Sequence, residues 1–307
     1  LQTFGSGFSG FADVQGRLVH YDIKGFEDNP ELIINKHYTF LNPKVGISFN
    51  RDNYQAYISY SVGAKEPNRD DFEAGQNEIP KPEILYDLEV GVNKKNASLT
   101  YGATFYYMNY HNQLVSTGKI NDVGAYTRTN TPQSYRLGIE LEASNEFSNW
   151  INVSANLCLS KNKIKNFTEY VDDDDNGGQV VNQYYNTDIS FSPNIVGAAS
   201  VNIIPVTKGE ISFQSKYVGM EYLDNTSHLN RSIDGYYVQN LKLSYRLTPK
   251  KICKAVDLIF QVNNILNKKY ESTGYTYPYI SGGSEIVENN YFPMAPTNFL
   301  AAINIGL

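Results

Sequence analysis

The chain has 307 residues, of which 41% are hydrophobic and 19% charged, with a formal net charge of −6 and a mean hydropathy of −0.42. No run approaches the 18 apolar residues of a spanning helix, so a helical membrane bundle is excluded, and the acidic balance argues against nucleic acid as a partner. Cys158 and Cys253 are too few for a disulfide framework and too far apart for a metal spacing, so they read as unrelated small residues.

Dyad hydrophobicity recurs along the whole chain. A strand sends alternate side chains to opposite faces, so such rows mark strands with one apolar and one polar face. The first segment, 11–23, has mixed faces. Val45, Ile47 and Phe49 follow, then Tyr54, Ala56, Ile58, Tyr60 and Val62. Tyr86, Leu88, Val90 and Val92 come next, with Asp87 and Glu89 opposite, and then Leu99, Tyr101, Ala103, Phe105 and Tyr107. Leu137, Ile139, Leu141 and Ala143 oppose Arg136, Glu140 and Glu142, ahead of Val153, Ala155, Leu157 and Leu159. The later rows are Ile195, Ala199, Val201 and Ile203, then Ile211, Phe213 and Tyr217. Tyr237–Leu247 is the clearest segment, and Leu258, Phe260 and Val262 precede a last row of Phe299, Ala301, Ile303, Ile305 and Leu307. The rows predict an all-β chain of about twelve antiparallel strands. Tyrosine is the compositional outlier, with 25 copies against one tryptophan. It suits both an interfacial belt and a polar-tipped lining.

The connections sort into two alternating classes. Short ones lie at Arg51–Asn53, Lys94–Asn96, Phe147–Asn149, Pro205–Lys208 and Thr248–Lys250. Long ones lie at 24–37, 64–83, 113–132, 167–190, 222–233 and 266–295. A meandering transmembrane β-barrel has this asymmetry, with short periplasmic turns and long extracellular loops. A soluble sandwich explains the alternation of side chains but not that of the connections.

Three stretches carry a family resemblance. Val262-Asn263-Asn264-Ile265-Leu266-Asn267-Lys268-Lys269-Tyr270, followed by Tyr291-Phe292-Pro293-Met294-Ala295-Pro296-Thr297-Asn298-Phe299, resembles the closing signature of the TonB-dependent outer-membrane receptors. Tyr57–Val62 leading to Glu66-Pro67-Asn68-Arg69, and Pro82-Glu83 before Tyr86–Gly91, resemble two further strand junctions of that family. The resemblance implies a barrel of about 22 strands around a plug domain. It also implies location in the outer membrane of a Gram-negative bacterium and coupling through the plug to the TonB energy-transducing complex. Its expected partners are outer-membrane lipid, the plug and a small nutrient, with a ferric siderophore favoured. All of residues 1–307 then read as the C-terminal portion of the barrel, with the plug outside this chain. The other reading is a complete small barrel of about twelve strands, acting as a channel or an outer-membrane enzyme. However, no nucleophile elbow is present, the nearest stretch being Gly7-Phe8-Ser9-Gly10, and the reading adopted is non-enzymatic.

Candidate sites lie in the long connections. Tyr184, Tyr185, Tyr275, Tyr277 and Tyr279 could stack on a ligand, loop packing being the competing role. Asp172, Asp174, Asn176 and Gly177 occupy positions 1, 3, 5 and 6 of a calcium-loop pattern. Gln183 instead of glutamate at position 12, and the lack of flanking helices, favour a solvated acidic loop over calcium. No other cofactor is implied. Glu89, Arg136, Glu140, Lys216 and Lys242 are expected on a hydrated inner wall facing the plug. The four histidines, His20, His37, His111 and His228, show no metal-ligand spacing along the chain.

Overall fold

The computed structural model describes residues 2–27, 29–74, 79–120, 126–249 and 253–306. Leu307, the last residue of the final apolar row, and Lys250, in the last short turn, lie outside the described residues. The chain runs through β1 (Gln2–Gly5), β2 (Phe8–Lys24), β3 (Ile33–Arg51), β4 (Tyr54–Lys65) and β5 (Glu83–Lys95). Next come β6 (Leu99–Ile120), β7 (Tyr126–Ser148), β8 (Ile151–Asp173), β9 (Gln179–Asp188), β10 (Ile195–Val206) and β11 (Gly209–Val218). The remainder is β12 (Glu221–Tyr222), β13 (Ser232–Ile233), β14 (Tyr236–Leu247), β15 (Ala255–Asn263), β16 (Glu271–Ser281), β17 (Ser284–Pro293) and β18 (Asn298–Gly306). A 3-10 helix, Arg69–Ala74, follows β4. Among the described residues no helix is long and apolar enough to cross a membrane.

One meandering antiparallel sheet orders the strands β1-β2-β3-β4-β5-β6-β7-β8-β10-β11-β14-β15-β18. The twelve predicted strands are all present along this path, and β1 adds a short hairpin partner to β2. The register builds a continuous apolar row across one face. Ile47 stands opposite Ile58, then Val90, Phe105, Ile139, Leu159 and Ile195, each facing the next across a strand pair. These side chains are 37–54% exposed, so they point away from the protein rather than into a core. Exposed Tyr54, Tyr101, Phe147, Trp150 and Tyr245 mark the end near the short turns. Exposed Tyr60, Tyr107, Tyr217 and Tyr237 mark the far side. Tyr54 to Tyr60, or Tyr101 to Tyr107, is six residues, roughly 20 Å at about 3.4 Å each. That matches the apolar band of about 25 Å between the aromatic girdles of an outer-membrane barrel.

The opposite face is polar and is smoothed by glycines. A Cβ on Gly46 would lie 2.5 Å from the ring of Phe11, and one on Gly91 would lie 2.1 Å from that of Tyr57. One on Gly138 would meet the Tyr106 hydroxyl at 2.5 Å. Each aromatic is the direct cross-strand partner of its glycine, so the ring lies flat over the bare backbone. The buried apolar clusters lie beyond the apolar band, where connections stack. Phe26, Leu32, Ile34 and Phe72 form one, and Val115, Ile164, Phe167 and Ile189 the other.

The long connections differ from the open loops expected at 113–132, 167–190 and 266–295. Strands β6, β7 and β8 are 22–23 residues long and run well past the apolar band. β9 folds back on β8, and β16–β17 is a separate hairpin turned by Gly282 and Gly283, both at positive φ. Beyond the band both faces carry Thr, Tyr and Asn, so apolar alternation disappears while strand-forming side chains persist.

Candidate functional site

Three long connections converge at the end of the sheet away from the short turns. The β16–β17 hairpin reaches back to β8, where Tyr279 and Ile280 pair in parallel with Asp172 and Asp173. The Asp175 carboxylate accepts the amides of Gly282 and Gly283 at 2.8 and 2.7 Å, which clasps the hairpin tip to the β8–β9 turn. Beneath this clasp Arg231 is fully buried among Glu169, Asp224 and Glu285. Its Nη1 donates to Glu169 and, at 2.9 Å, to Asp224, and its Nη2 donates to Glu285. Burial alone would pull the guanidinium pKa down, but the hydrogen bonds and charges of Asp224 and Glu169 hold it above its ordinary value. Tyr184 donates to Glu169 at 2.9 Å, and its ring packs on Phe167 and edge-on to His228. One cation therefore ties together three segments that are far apart in sequence.

A cavity of about 600 Å³ opens beside this network. Its walls come from the outer ends of β6, β7 and β8, from the connection before β13, and from β16. Tyr126, Tyr170, Tyr275 and Tyr277 supply its aromatic lining, and Glu169, Asp172, Asp224 and Arg128 its charge. Asp172 accepts from the hydroxyls of Tyr126 (2.6 Å) and Tyr277 (2.9 Å) and from the Gln179 amide (2.7 Å). Partial burial pushes the Asp172 carboxyl up, and these donors outweigh it, leaving the group below its ordinary pKa. The Tyr126 phenol is pushed well up, first by burial and then by its hydrogen bond to Asp172. Arg128 donates two bonds of 2.7 Å to the buried Asp71, fixing β7 against the 3-10 helix. The cavity is thus aromatic, weakly acidic and preformed, with its carboxylates already satisfied by protein donors.

The profile of the TonB dependent receptor-like β-barrel family matches residues 12–265, well over half the chain. The chain belongs to this TonB-dependent receptor β-barrel family. That family consists of transport receptors, not enzymes. Among solved structures the chain is similar to the siderophore receptor PiuA from Acinetobacter baumannii, with 17% identity and a TM-score of 0.71 over 96% of this chain and 40% of that one. The ferric citrate transporter FecA, unliganded, gives 15% identity and a TM-score of 0.73 over 96% of this chain and 42% of that one. The copper transporter OprC gives 13% identity and a TM-score of 0.68, over 96% and 44%. At these identities the likeness is one of fold. The chain spans less than half the length of each. No curated protein sequence matches it.

Within this receptor-barrel frame the five predicted tyrosines divide. Tyr275, Tyr277 and Tyr279 share one face of β16. Tyr275 and Tyr277 line the cavity, whereas Tyr279 packs at a tilt beside Tyr277 and donates to Glu288 at 3.1 Å. Tyr184 is committed to the Arg231 network, and Tyr185, 74% exposed, points away from it. The calcium pattern forms a hydrogen-bonded turn. Asp173, not part of the predicted set, accepts from the amides of Asp175 and Asn176 and from the Asn176 side chain. Asp172 is occupied by the two tyrosines and Gln179, and Asp174 is exposed. Among the described residues no three His, Cys, Asp or Glu side chains gather to hold a metal. Glu89, Arg136 and Glu140 do meet, around a recess where Arg136 donates to Ser192 at 2.9 Å. Sequence reasoning missed Arg231, Glu169, Asp224, Glu285 and Tyr126, each an isolated residue with no motif around it. It also missed that His20 and His37 meet across β2 and β3.

The closing signature has a structural role. Buried Asn264 donates its side-chain amide to the carbonyls of Lys268 (2.8 Å) and Ala295 (3.3 Å), and its Oδ1 accepts from the Lys268 amide. Thr297 donates to the Asn264 carbonyl at 2.7 Å. These bonds bring the chain back to β15 after the long β16–β17 excursion, so that β18 pairs in register.

Proposed function

We propose that this chain is the ligand-capturing wall of an outer-membrane active-transport receptor in a Gram-negative bacterium. The receptor takes up a scarce nutrient, a ferric siderophore being the favoured one, through a plug domain pulled by the TonB complex. The observation that carries the reading is the preformed cavity of about 600 Å³ at the long-connection end of the sheet. Its size falls in the range of small-ligand sites, and its tyrosines offer flat contact area at low entropic cost. The mixed-sign polar inner face supports packing against a protein plug better than a simple ion-selective pore does.

The test is uptake of iron-55 carried by a panel of siderophores, in cells whose only receptor is the full-length protein containing this chain. The reading predicts accumulation of at least one member, abolished by a protonophore and reduced by Tyr275→Ala. Accumulation that ignores the protonophore would make the protein a passive channel. No accumulation from any member would remove the siderophore assignment.

A further inference from the structure

The long extension of β2 and β3 past the apolar band carries a feature outside the cavity. His20 and His37 are direct cross-strand partners, separated by 17 positions in the chain. Both are exposed on the outer face, just above Leu18, which is 80% exposed. Their rings stack with centroids 4.1 Å apart, and the two Nδ1 atoms lie 3.1 Å from each other. At this distance one Nδ1–H can be donated to the other Nδ1, the tautomer deciding which ring is the donor.

We propose that His20 and His37 form a surface site for a divalent transition-metal cation, which takes the place of that proton. With metal–nitrogen bonds of about 2.05 Å, an Nδ1–Nδ1 separation of 3.1 Å subtends roughly 98° at the metal. This lies between the square-planar and tetrahedral values. The stacked rings hold their lone pairs side by side, and rotation of both about the Cβ–Cγ bond makes them converge. Both rings are solvent-exposed, which gives them room to turn. Imidazole without thiolate selects the nickel, copper and zinc end of the divalent series, with copper(II) the tightest. Asp22 sits two residues along β2 on the same face, within 3.9 Å of Lys24, and opposite Asn35. Water completes the remaining positions. A bound cation would staple the β2–β3 hairpin beyond the apolar band, independently of the nutrient cavity.

The experiment is titration of the tag-free, detergent-solubilised full-length receptor with copper(II) alone, read by calorimetry and electron paramagnetic resonance. One site per chain with two-nitrogen hyperfine splitting is expected. His20→Gln and His37→Gln should each weaken it at least about tenfold, because loss of one ligand removes the chelate. His111→Gln, remote from the pair, should leave it unchanged. Unaltered mobility on unheated gels shows that each variant folds. Absence of a stoichiometric site in the native protein, or copper binding that survives either substitution, would overturn the proposal.

Discussion

Replacing Arg231 with alanine should release the outer connections while leaving the barrel wall folded. The side-chain exposures of the network are 0% for Arg231, 5% for Glu169, 20% for Asp224 and 40% for Glu285. Removing the cation leaves the nearly buried Glu169 carboxylate with only the neutral donors of Tyr184 and Asn182. Breaking a buried pair from one side costs about 3–5 kcal/mol. At about 1.4 kcal/mol per decade this shifts the opening equilibrium by roughly two to almost four orders of magnitude, capped by the local stability. Glu285→Gln is the contrasting perturbation. Its carboxylate is more than a third exposed, and the screened pair is worth below about 1 kcal/mol. The assay is amide hydrogen exchange in detergent, comparing β16–β17 and β12–β13 with the wall strands β4 and β5. Arg231→Ala should deprotect the first group only, with Glu285→Gln close to native. If Arg231→Ala left β16–β17 protection within about threefold of native, or if Glu285→Gln matched it, the network would not hold the loops.

Three further outcomes follow from the same geometry. Asp172 has a folded pKa below its ordinary value, so its contribution is complete above the unfolded pKa of about 4 and fades as pH falls through the folded one. The difference in loop protection between native protein and Asp172→Asn should be constant above about pH 4 and vanish on further acidification. A difference that instead vanished with rising pH would contradict this. Gly91→Ala should cost about 1–3 kcal/mol by driving a methyl group into the Tyr57 ring, and Tyr57→Ala should largely relieve that penalty. Additive effects in urea unfolding would show that the pair does not touch. Asn264→Ala should cost about 1–3 kcal/mol per stranded buried group and lower the yield of folded barrel, measured by heat-modifiable mobility. Unchanged yield would deny the closing signature a structural role.

The membrane wall was legible because lipid enforces a rule on every second residue. Ile47, Ile58, Val90, Phe105, Ile139 and Leu159 each sit in a clean dyad pattern, and their alignment across strands follows once the short turns set the register. Outside the band that rule lapses. Thr129 and Thr131 pair as strand without apolar alternation, so 113–132 reads as a loop. The cavity depended on long-range coincidence. Nothing near Arg231 announces Glu169 or Glu285, which are 62 and 54 positions away. The tyrosine-rich run at 275–279 was visible as a pattern, but only the fold of β16 shows which rings face the cavity. His20 and His37 were hidden for the same reason, since a hairpin register, not a spacing, brings them together.

The sheet has two unlike ends, short turns at one and long connections at the other. In a receptor with Cys158 and Cys253 replaced by serine, single cysteines placed by Gly282→Cys in the β16–β17 turn and by Asp52→Cys in the β3–β4 turn can be probed on intact cells with a membrane-impermeant maleimide. Labelling of the Gly282→Cys protein is expected at once, and of the Asp52→Cys protein only after the outer membrane is permeabilised. Labelling of Asp52→Cys alone, or of both equally on intact cells, would contradict it.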